Sequence, residues 1–293
     1  MPHFVTIAIS VLFDGLAYAM FLFITSVGLS ITMGLMGFVN LAHGAFAMAG
    51  GYVCAVLVNN QGWPFFAALP LAFVASAAIG AALERTLYRH LYSRSHLDQV
   101  LFSVGLVFMS VAAVDYIMGS SRIFIKLPSA LEGQFDLFGV GIGRYRLMII
   151  VICGLLTIAL QLILSRTRFG SRLRAAVDDP RAAIGLGINV PQVFAFTFAF
   201  GCGLAGLGGA LSAEILGLDP YFPLKFMIYF LIVVTVGGSS SITGPFLASL
   251  LLGIGDVAGK YYVPKMGPFV IYTIMIVILI WRPNGLFGRT AAR

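Results

Sequence analysis

The sequence predicts an all-α integral membrane protein, a polytopic bundle of about eight or nine transmembrane helices. Hydrophobic residues make up 60% of the 293 residues and charged residues only 10%, against about 25% in ordinary soluble domains. The mean hydropathy is +1.00, and the apolar runs reach the roughly 20 residues that cross a bilayer. A soluble core cannot bury this much apolar surface, so residues 1–293 are expected to form one membrane-embedded domain.

The individual spans follow from the apolar runs, taken in chain order and separated by turns rich in glycine, proline or charge. The predicted spans are 12–31, 38–58, 65–83, 100–118, 147–164, 193–216 and 269–281. A short turn at Gly34–Gly37 divides the first two, and 217–225 is another turn. Two shorter apolar pieces flank a Gly/Ser/Pro break at 237–245, so 226–259 forms either two spans or a re-entrant pair of half-helices. The alternation in QFDLFGVGIGRYR, before the fifth span, predicts a small hairpin.

The basic residues predict the orientation of the chain. The loops at 84–99 and 166–190 and the tail after Trp281 hold eleven arginines and no lysine, whereas the other side holds seven basic residues. The positive-inside rule makes the first side cytoplasmic and leaves the N-terminus outside. The N-terminus lacks the basic region of a cleavable signal, so the first apolar run is expected to stay in the mature protein. The clusters of basic residues therefore indicate the topology of the chain, and they do not indicate a surface that binds nucleic acid.

The stretch 167–188, TRFGSRLRAAVDDPRAAIGLGI, is a polar island between two membrane spans. Arg172–Val177 contains no helix breaker, and Pro180 suits the first turn of a second helix. The carboxylates of Asp178 and Asp179 would repel lipid phosphates, which argues against a surface that only binds lipid. The mixed charge favours a surface that docks a protein. The small residues expected to make close contact there are Ala175, Ala176, Ala182 and Ala183.

No motif for enzyme chemistry is visible, because Walker A, HExxH, GxSxG and CxxC patterns are all missing from the sequence. Three isolated cysteines suit neither a zinc site nor a disulfide framework. An enzyme is therefore disfavoured, and neither a metal nor a cofactor is expected. The acids in or near spans are scattered, and interfacial positions explain them: Asp14, Asp115, Glu214 and Asp256. A proton or ion relay would need acids near the middle of a span.

Three polar residues are candidates for a translocation path. Asn40 and His43 lie three apart in a glycine-rich run, so they share a face if that run is helical. Either they make a helix–helix hydrogen bond inside the bundle, or this broken region lines the path of a solute. Glu84 begins the first basic loop, where a charge pair with Arg85, a contact with Tyr88 or one with a neighbouring loop is the simpler interpretation.

Five motifs spread over nearly the whole chain carry a family resemblance. They are GLMGFVNLAHGAFAMAGGY (34–52), ERTLYR (84–89), TRFGSRLRAAVDDPRAAIGLGINV (167–190), TVGGSSSITGPFLASLLLG (235–253) and WRPNGLFGR (281–289). Together they resemble the permease subunits of branched-chain amino-acid ABC importers, the LivH type. The family usually has an acidic residue where this chain has Ala45. Its solutes extend to urea, amides and aromatic acids, so the solute is left open.

The resemblance implies that 166–190 is a cytoplasmic coupling segment that docks into a groove on a separate ATPase subunit, which binds the ATP. The residues expected to couple the two proteins are Gly170, Arg172, Arg174, Ala175, Asp178, Asp179, Ala182, Gly185 and Ile188. The implied partners are ATP-binding-cassette ATPases, a second homologous permease in a heterodimer or homodimer, and a periplasmic solute-binding protein. The implied location is the bacterial inner membrane, with many passes through the bilayer.

Two hypotheses therefore stand side by side. In the leading one, the chain forms half of a path that alternates access when ATP closes the ATPase dimer, with Asn40, His43 and Glu84 lining or gating that path. In the alternative, the chain is an ion-coupled secondary transporter or a channel that acts without an ATPase. Acids at mid-span, and transport by the purified chain alone, would favour the alternative.

Overall fold

The computed structural model describes residues 3–36, 40–92, 94–137, 140–238 and 242–287, and these are almost entirely helical. A two-stranded antiparallel sheet, β1 (Gln134–Leu137) and β2 (Val140–Gly143), accounts for the predicted hairpin, which is confirmed. The predicted all-α membrane bundle is confirmed as well.

Eleven α-helices occur in the described residues. They are α1 (His3–Met36), α2 (His43–Ala55), α3 (Phe65–Thr86), α4 (His96–Met118), α5 (Arg144–Arg166), α6 (Arg168–Asp178), α7 (Pro180–Gly185), α8 (Val190–Ser212), α9 (Phe222–Gly237), α10 (Thr243–Tyr262) and α11 (Gly267–Trp281). Five of them, α1, α3, α4, α5 and α8, are long and apolar enough to cross a membrane alone. A π-helical turn, Val56–Asn60, extends α2, so these two pieces together reach a similar length.

Helix α8 lies at the centre of the bundle, and its C-terminal half is buried on all sides. It packs against α1, α2 and α3 through small residues that allow close backbone contact, which is how helices associate in lipid. A Cβ atom on Gly209 would lie 1.8 Å from the carbonyl oxygen of Ala47, and one on Gly50 would lie 2.3 Å from the Cα of Gly206. The glycine run that the sequence shows is therefore the seam that joins α2 to α8.

The helices alternate in direction between two ends of the bundle. We call one the arginine-rich end, made of 87–92, 94–95, 167–189 and 282–287, and the other the opposite end, made of 61–64, 119–137, 140–143, 213–221 and 263–266. At the opposite end the Asn59 side chain donates to the carbonyl of Phe124 at 2.8 Å and accepts from the amide of Lys126 at 2.9 Å. The loops that the sequence assigns to one side thus contact one another.

The interrupted region 226–259 forms two separate helices, α9 and α10. The C-terminus of α9 reaches the arginine-rich end, where the amide of Leu286 donates to the carbonyl of Val236 at 2.8 Å. Gly237 and Gly244 lie in close contact, so α10 starts where α9 stops. Both therefore run the length of the bundle, and nine helices cross it in the described part of the chain. Residues 239–241, in the middle of the predicted break, lie outside that part.

Two predicted turns were placed wrongly. Helix α1 continues through Met36, beyond the predicted turn at Gly34, because leucine and methionine sustain a helix across an isolated glycine. Gly37 and the predicted start of the second span lie outside the described residues. Helix α9 starts at Phe222, inside the predicted turn 217–225, because Pro223 is tolerated in the first turn of a helix.

Candidate functional site

The polar island folds into two short helices, α6 and α7, at the arginine-rich end. Thr167 caps α6, because its Oγ1 accepts from the amide of Gly170 at 3.3 Å. Asp179 caps α7, because its Oδ1 accepts from the amides of Arg181 and Ala182 at 3.0 Å each. Pro180 occupies the first turn of α7, as predicted, and α6 extends further on both sides than the predicted Arg172–Val177. The segment is ordered by its own caps and is not a slack linker.

Helix α6 is held against the end of α5. A Cβ atom on Gly170 would lie 2.2 Å from the carbonyl oxygen of Leu164, so only glycine fits this contact. The guanidinium of Arg174 donates to that same carbonyl. Leu173, on the same face of α6, is buried. The end of α5 and α6 therefore form one rigid unit.

Helix α7 is held against the start of α8. Ala176, Ala183 and Val190 are buried together in a small apolar cluster, with Ala175 and Ile188 at its edge. The prediction that Ala176 and Ala183 offer their surface to a partner was wrong, because they make their close contacts with α8 of the same chain. Their small size brings α7 close to α8 and couples the segment to the centre of the bundle.

The outer surface of this segment combines charge with an apolar tip. Arg172, Asp178, Asp179, Ala182 and Gly185 are exposed. Two apolar side chains project beside them: Ile184 is 60% exposed and Leu186 is 80% exposed. Neither residue was predicted from the sequence, although two apolar residues two positions apart in a polar stretch were the available signal. Apolar side chains exposed at a water-facing end, with charges around them, are typical of a protein interface.

A surface groove of about 530 Å³ runs beside this tip. Arg172 and Leu186 form one wall of the groove, and Gln192 and Phe196 at the start of α8 form the other. Its lining therefore combines a cation, an amide and apolar side chains. A partner helix or loop with matching chemistry would contact both the segment and α8.

Glu84 lies in a second and larger groove at the same end, of about 1210 Å³, between α3 and the start of α8. Its Oε1 accepts a hydrogen bond from the hydroxyl of Tyr92 at 3.2 Å. Burial raises the pKa of the Tyr92 phenol, and the nearby Glu84 charge raises it further, so the phenol keeps its proton and donates. The sequence had suggested Arg85, Tyr88 or a neighbouring loop as partners of Glu84, whereas Tyr92 lies in the same basic loop that Glu84 begins.

Asn40 and His43 are buried inside the bundle, and they do not share a helix face as predicted. Asn40 precedes α2, because its Oδ1 accepts from the amide of Ala42 at 3.1 Å and so caps a turn instead of joining the helix. The same oxygen accepts from the hydroxyl of Tyr88 at 3.0 Å. His43 begins α2, and its Nε2 lies 2.9 Å from the carbonyl oxygen of Thr25, so it must donate. These bonds tie α1, α2 and the loop after α3 together.

Within the residues that the structure describes, no three His, Cys, Asp or Glu side chains lie close enough to hold a metal ion. The arginine-rich end presents charged, amide and apolar side chains at its surface.

The fold defines a polytopic helical membrane protein with an ordered polar segment between two spans. Residues 11–279 match the family model "Branched-chain amino acid transport system / permease component", and the chain belongs to this family of transport permeases. No solved structure matches the chain significantly.

Curated relatives match almost end to end. The chain is 27% identical to the high-affinity branched-chain amino acid transport system permease protein LivH of Escherichia coli (strain K12), over 95% of this chain and 94% of that protein. It is 29% identical to BraD, the permease protein of the same kind in Pseudomonas aeruginosa, over 98% and 96%. It is also 27% identical to LivM of Salmonella typhimurium, over 91% of this chain and 68% of that protein. These relatives are transport permeases and not enzymes.

Proposed function

We propose that this chain is the membrane-spanning permease of an ABC importer for branched-chain or related amino acids, and that 167–188 docks a separate ATPase. The observation that carries the docking role is the exposed pair Ile184 and Leu186 at the tip of a segment that is otherwise anchored to the bundle. The family match and the names of the relatives support the amino-acid solute.

The coupling works through rigidity on both sides of the segment. Gly170 and Arg174 fix α6 to α5, and Ala183 fixes α7 to α8. A displacement of the tip by closure of the ATPase dimer therefore moves the ends of two spans together, as a shear of packed helices. Arg172 and Asp178 contact the ATPase, Arg174 positions α6, and Asp179 keeps α7 formed by capping it.

Asn40, His43 and Glu84 act as gating residues near the arginine-rich end. Each bonds a different element to its neighbour: Asn40 to the loop after α3, His43 to α1, and Glu84 to Tyr92. When α8 shifts against α2 and α3, these bonds exchange or break together. Because all three side chains are buried, they control the solute path indirectly, through the packing of the helices that line it.

The complete importer contains further subunits. This chain forms half of the path, and a second homologous permease forms the other half, since LivM of Salmonella typhimurium shares the same sequence pattern. ATP-binding-cassette ATPases bind at the arginine-rich end, which faces the cytoplasm of a bacterial inner membrane by the positive-inside rule. A periplasmic solute-binding protein delivers the solute at the opposite end.

Replacing both tip residues tests the docking role. The double variant Ile184→Ser, Leu186→Ser should lose most stimulation of ATP hydrolysis in the reconstituted importer, because the ATPase loses its apolar contact. The variant Arg172→Ala, Asp178→Ala removes the charges of the same surface and should act in the same direction. The matched control is Leu97→Ser, which alters an apolar side chain that is 67% exposed at the same end but outside the segment.

Full stimulation in the double variant, at equal amounts of permease in the membrane, would disprove the docking role. Uptake by the purified permease without any ATPase would instead favour the ion-coupled transporter or channel. The two results test different hypotheses: stimulation in the double variant tests whether this surface docks the ATPase, and uptake without an ATPase tests whether ATP hydrolysis drives transport.

A further inference from the structure

A cavity of about 570 Å³ opens at the opposite end of the bundle, among α1, α5, α9, α10 and α11. Sites for small molecules usually have volumes of about 300–1,000 Å³ and combine apolar walls with a few polar groups. This cavity lies about a bundle's length from the docking segment, so the contacts described above do not explain it.

Two carboxylates line this cavity from distant parts of the chain, Asp14 on α1 and Asp256 on α10. The sequence placed them among scattered acids near the ends of spans, but the fold brings them to one site. The Asp256 side chain is only 1% exposed. Its Oδ2 accepts from Lys260 at 2.5 Å, whereas its Oδ1 has no hydrogen-bond partner in the part of the chain that the structure describes.

An acceptor of this kind is costly to maintain. A buried oxygen that makes no hydrogen bond forfeits its interaction with water, and ionisable groups within membrane helices are expensive to keep there. Such an unpaired oxygen is expected where a bound ligand supplies the missing hydrogen bond. The ligand that fits a carboxylate oxygen beside an open cavity is a donor with positive charge, such as an ammonium group.

Cations also line the cavity, and they are more accessible than Asp256. Arg146 pairs with Asp14, and Lys260 pairs with Asp256; the two cationic side chains are 39% and 50% exposed. Lys225 contributes a third cation, although Asp219 already accepts from it at 2.5 Å. A half-exposed cation can turn to a second anion without losing its first partner. The cavity thus offers sites for a carboxylate as well as for an ammonium.

The remaining wall of the cavity is apolar and aromatic. The rings of Phe21 and Phe226 meet edge to face with centroids 5.7 Å apart, and Tyr229 lies next to Phe226 at 6.0 Å. The ring of Tyr18 lies 5.6 Å from the ammonium of Lys260. An aliphatic side chain would lose little by leaving water for this surface.

We propose that this cavity is a binding site for an α-amino acid zwitterion with an apolar side chain, and this proposal rests on the function proposed above. The α-ammonium donates to Asp256 Oδ1, the α-carboxylate accepts from Arg146 and Lys260, and the side chain packs against Phe21 and Phe226. A solute with only one of the two charges leaves half of the site unpaired, so it binds less well. The permease therefore selects its solute again, after the solute-binding protein.

Protection of a cysteine placed in the cavity tests this directly. The variant Val257→Cys puts a thiol in the lining, and the native Cys54, Cys153 and Cys202 are all buried, so they give little background labelling. In the purified permease complex, leucine should slow labelling by a membrane-impermeant thiol reagent. Isoamylamine and 4-methylpentanoate, which keep one charge each, should protect at least about tenfold less well on a concentration scale.

Two charge variants sharpen the test in the Val257→Cys background. Asp256→Asn should weaken protection by leucine and isoamylamine about tenfold to a hundredfold, the usual effect of losing a charged hydrogen bond. Arg146→Gln should weaken protection by leucine and 4-methylpentanoate but leave isoamylamine unchanged. The control is Asp136→Asn, an exposed acid at the same end.

The proposal is overturned if leucine gives no protection up to its solubility limit, if either one-charge analogue protects as well as leucine, or if Asp256→Asn and Arg146→Gln both behave like the control. Labelling does not measure ATP hydrolysis, so its outcome is independent of the docking role. If ATP hydrolysis is stimulated normally but leucine does not protect the cysteine, only the binding site in the cavity is disproved. If leucine protects the cysteine but the double variant Ile184→Ser, Leu186→Ser keeps full stimulation, only the docking role is disproved.

Discussion

The variant Gly170→Ala probes the contact that holds the polar island, 167–188, in place. Its added Cβ atom would lie 2.2 Å from the carbonyl oxygen of Leu164, while ordinary contacts of this kind begin at 3.4 Å. Helix α6 must therefore move away from α5 by about 1.2 Å, the difference between these two distances. The bond from Arg174 to the same oxygen is stretched by that movement. Overpacking of this size costs about 1–3 kcal/mol.

The assay is ATP hydrolysis stimulated by the solute-loaded binding protein, in the reconstituted importer with equal amounts of permease. Because 1.4 kcal/mol corresponds to a factor of ten, the population of correctly placed segments should fall by about 5- to 150-fold, and stimulation should fall with it. The control Gly105→Ala adds a methyl group on α4 where nothing lies within 4 Å, so it should keep full stimulation. Wild-type stimulation by Gly170→Ala would refute the rigid connection between α5 and α6.

Two further predictions concern the stability of the bundle in detergent. Gly209→Ala should lower the thermal unfolding midpoint more than any surface change, because its Cβ would lie 1.8 Å from the Ala47 carbonyl and must push α2 from α8; an unchanged midpoint would show that this seam is not tight. Tyr88→Phe should cost about 1 kcal/mol of unfolding free energy by removing the bond to Asn40. Its control is Tyr116→Phe, on a side chain 92% exposed; equal midpoints for these two variants would contradict the buried bond.

Much of the bundle is predictable because hydropathy and turn chemistry act locally. A membrane span must satisfy its own backbone, so an apolar run of sufficient length has one stable structure. The antiparallel pair β1 and β2 and the second helix of the polar island at Pro180 follow from equally local rules. These elements are predicted correctly because the residues that determine each of them lie within a dozen positions of one another.

The site residues are less predictable because their partners are remote in sequence. Asn40 accepts a hydrogen bond from the hydroxyl of Tyr88, and His43 donates one to the carbonyl of Thr25. Neither partner lies in the glycine-rich run that contains Asn40 and His43, so the sequence of that run does not predict these bonds. The three-residue spacing of Asn40 and His43 predicted that they share a helix face. Asn40 instead precedes the helix, because its Oδ1 accepts a hydrogen bond from the amide of Ala42. Helical periodicity does not hold where a polar side chain hydrogen-bonds to the neighbouring backbone in place of the helical hydrogen bonds.

Two kinds of contact in particular require the fold. The alanines of the polar island were expected at a partner surface, yet Ala176 and Ala183 pack on α8, which sequence spacing cannot distinguish from an external helix. Asp14 and Asp256 look like unrelated interfacial acids until α1 and α10 are placed side by side. Periodicity identifies a face, but only packing identifies what that face contacts.

Photo-crosslinking at the tip of the segment is the most direct measurement of the docking role. A photoreactive phenylalanine derivative would replace Leu186, which is 80% exposed at the arginine-rich end, and in a control it would replace Leu155, which is 62% exposed on α5 within the membrane. In the assembled importer, position 186 should crosslink to the ATPase subunit, and position 155 should crosslink to lipid. Crosslinks from position 186 to lipid alone, with the ATPase present and active, would contradict the account.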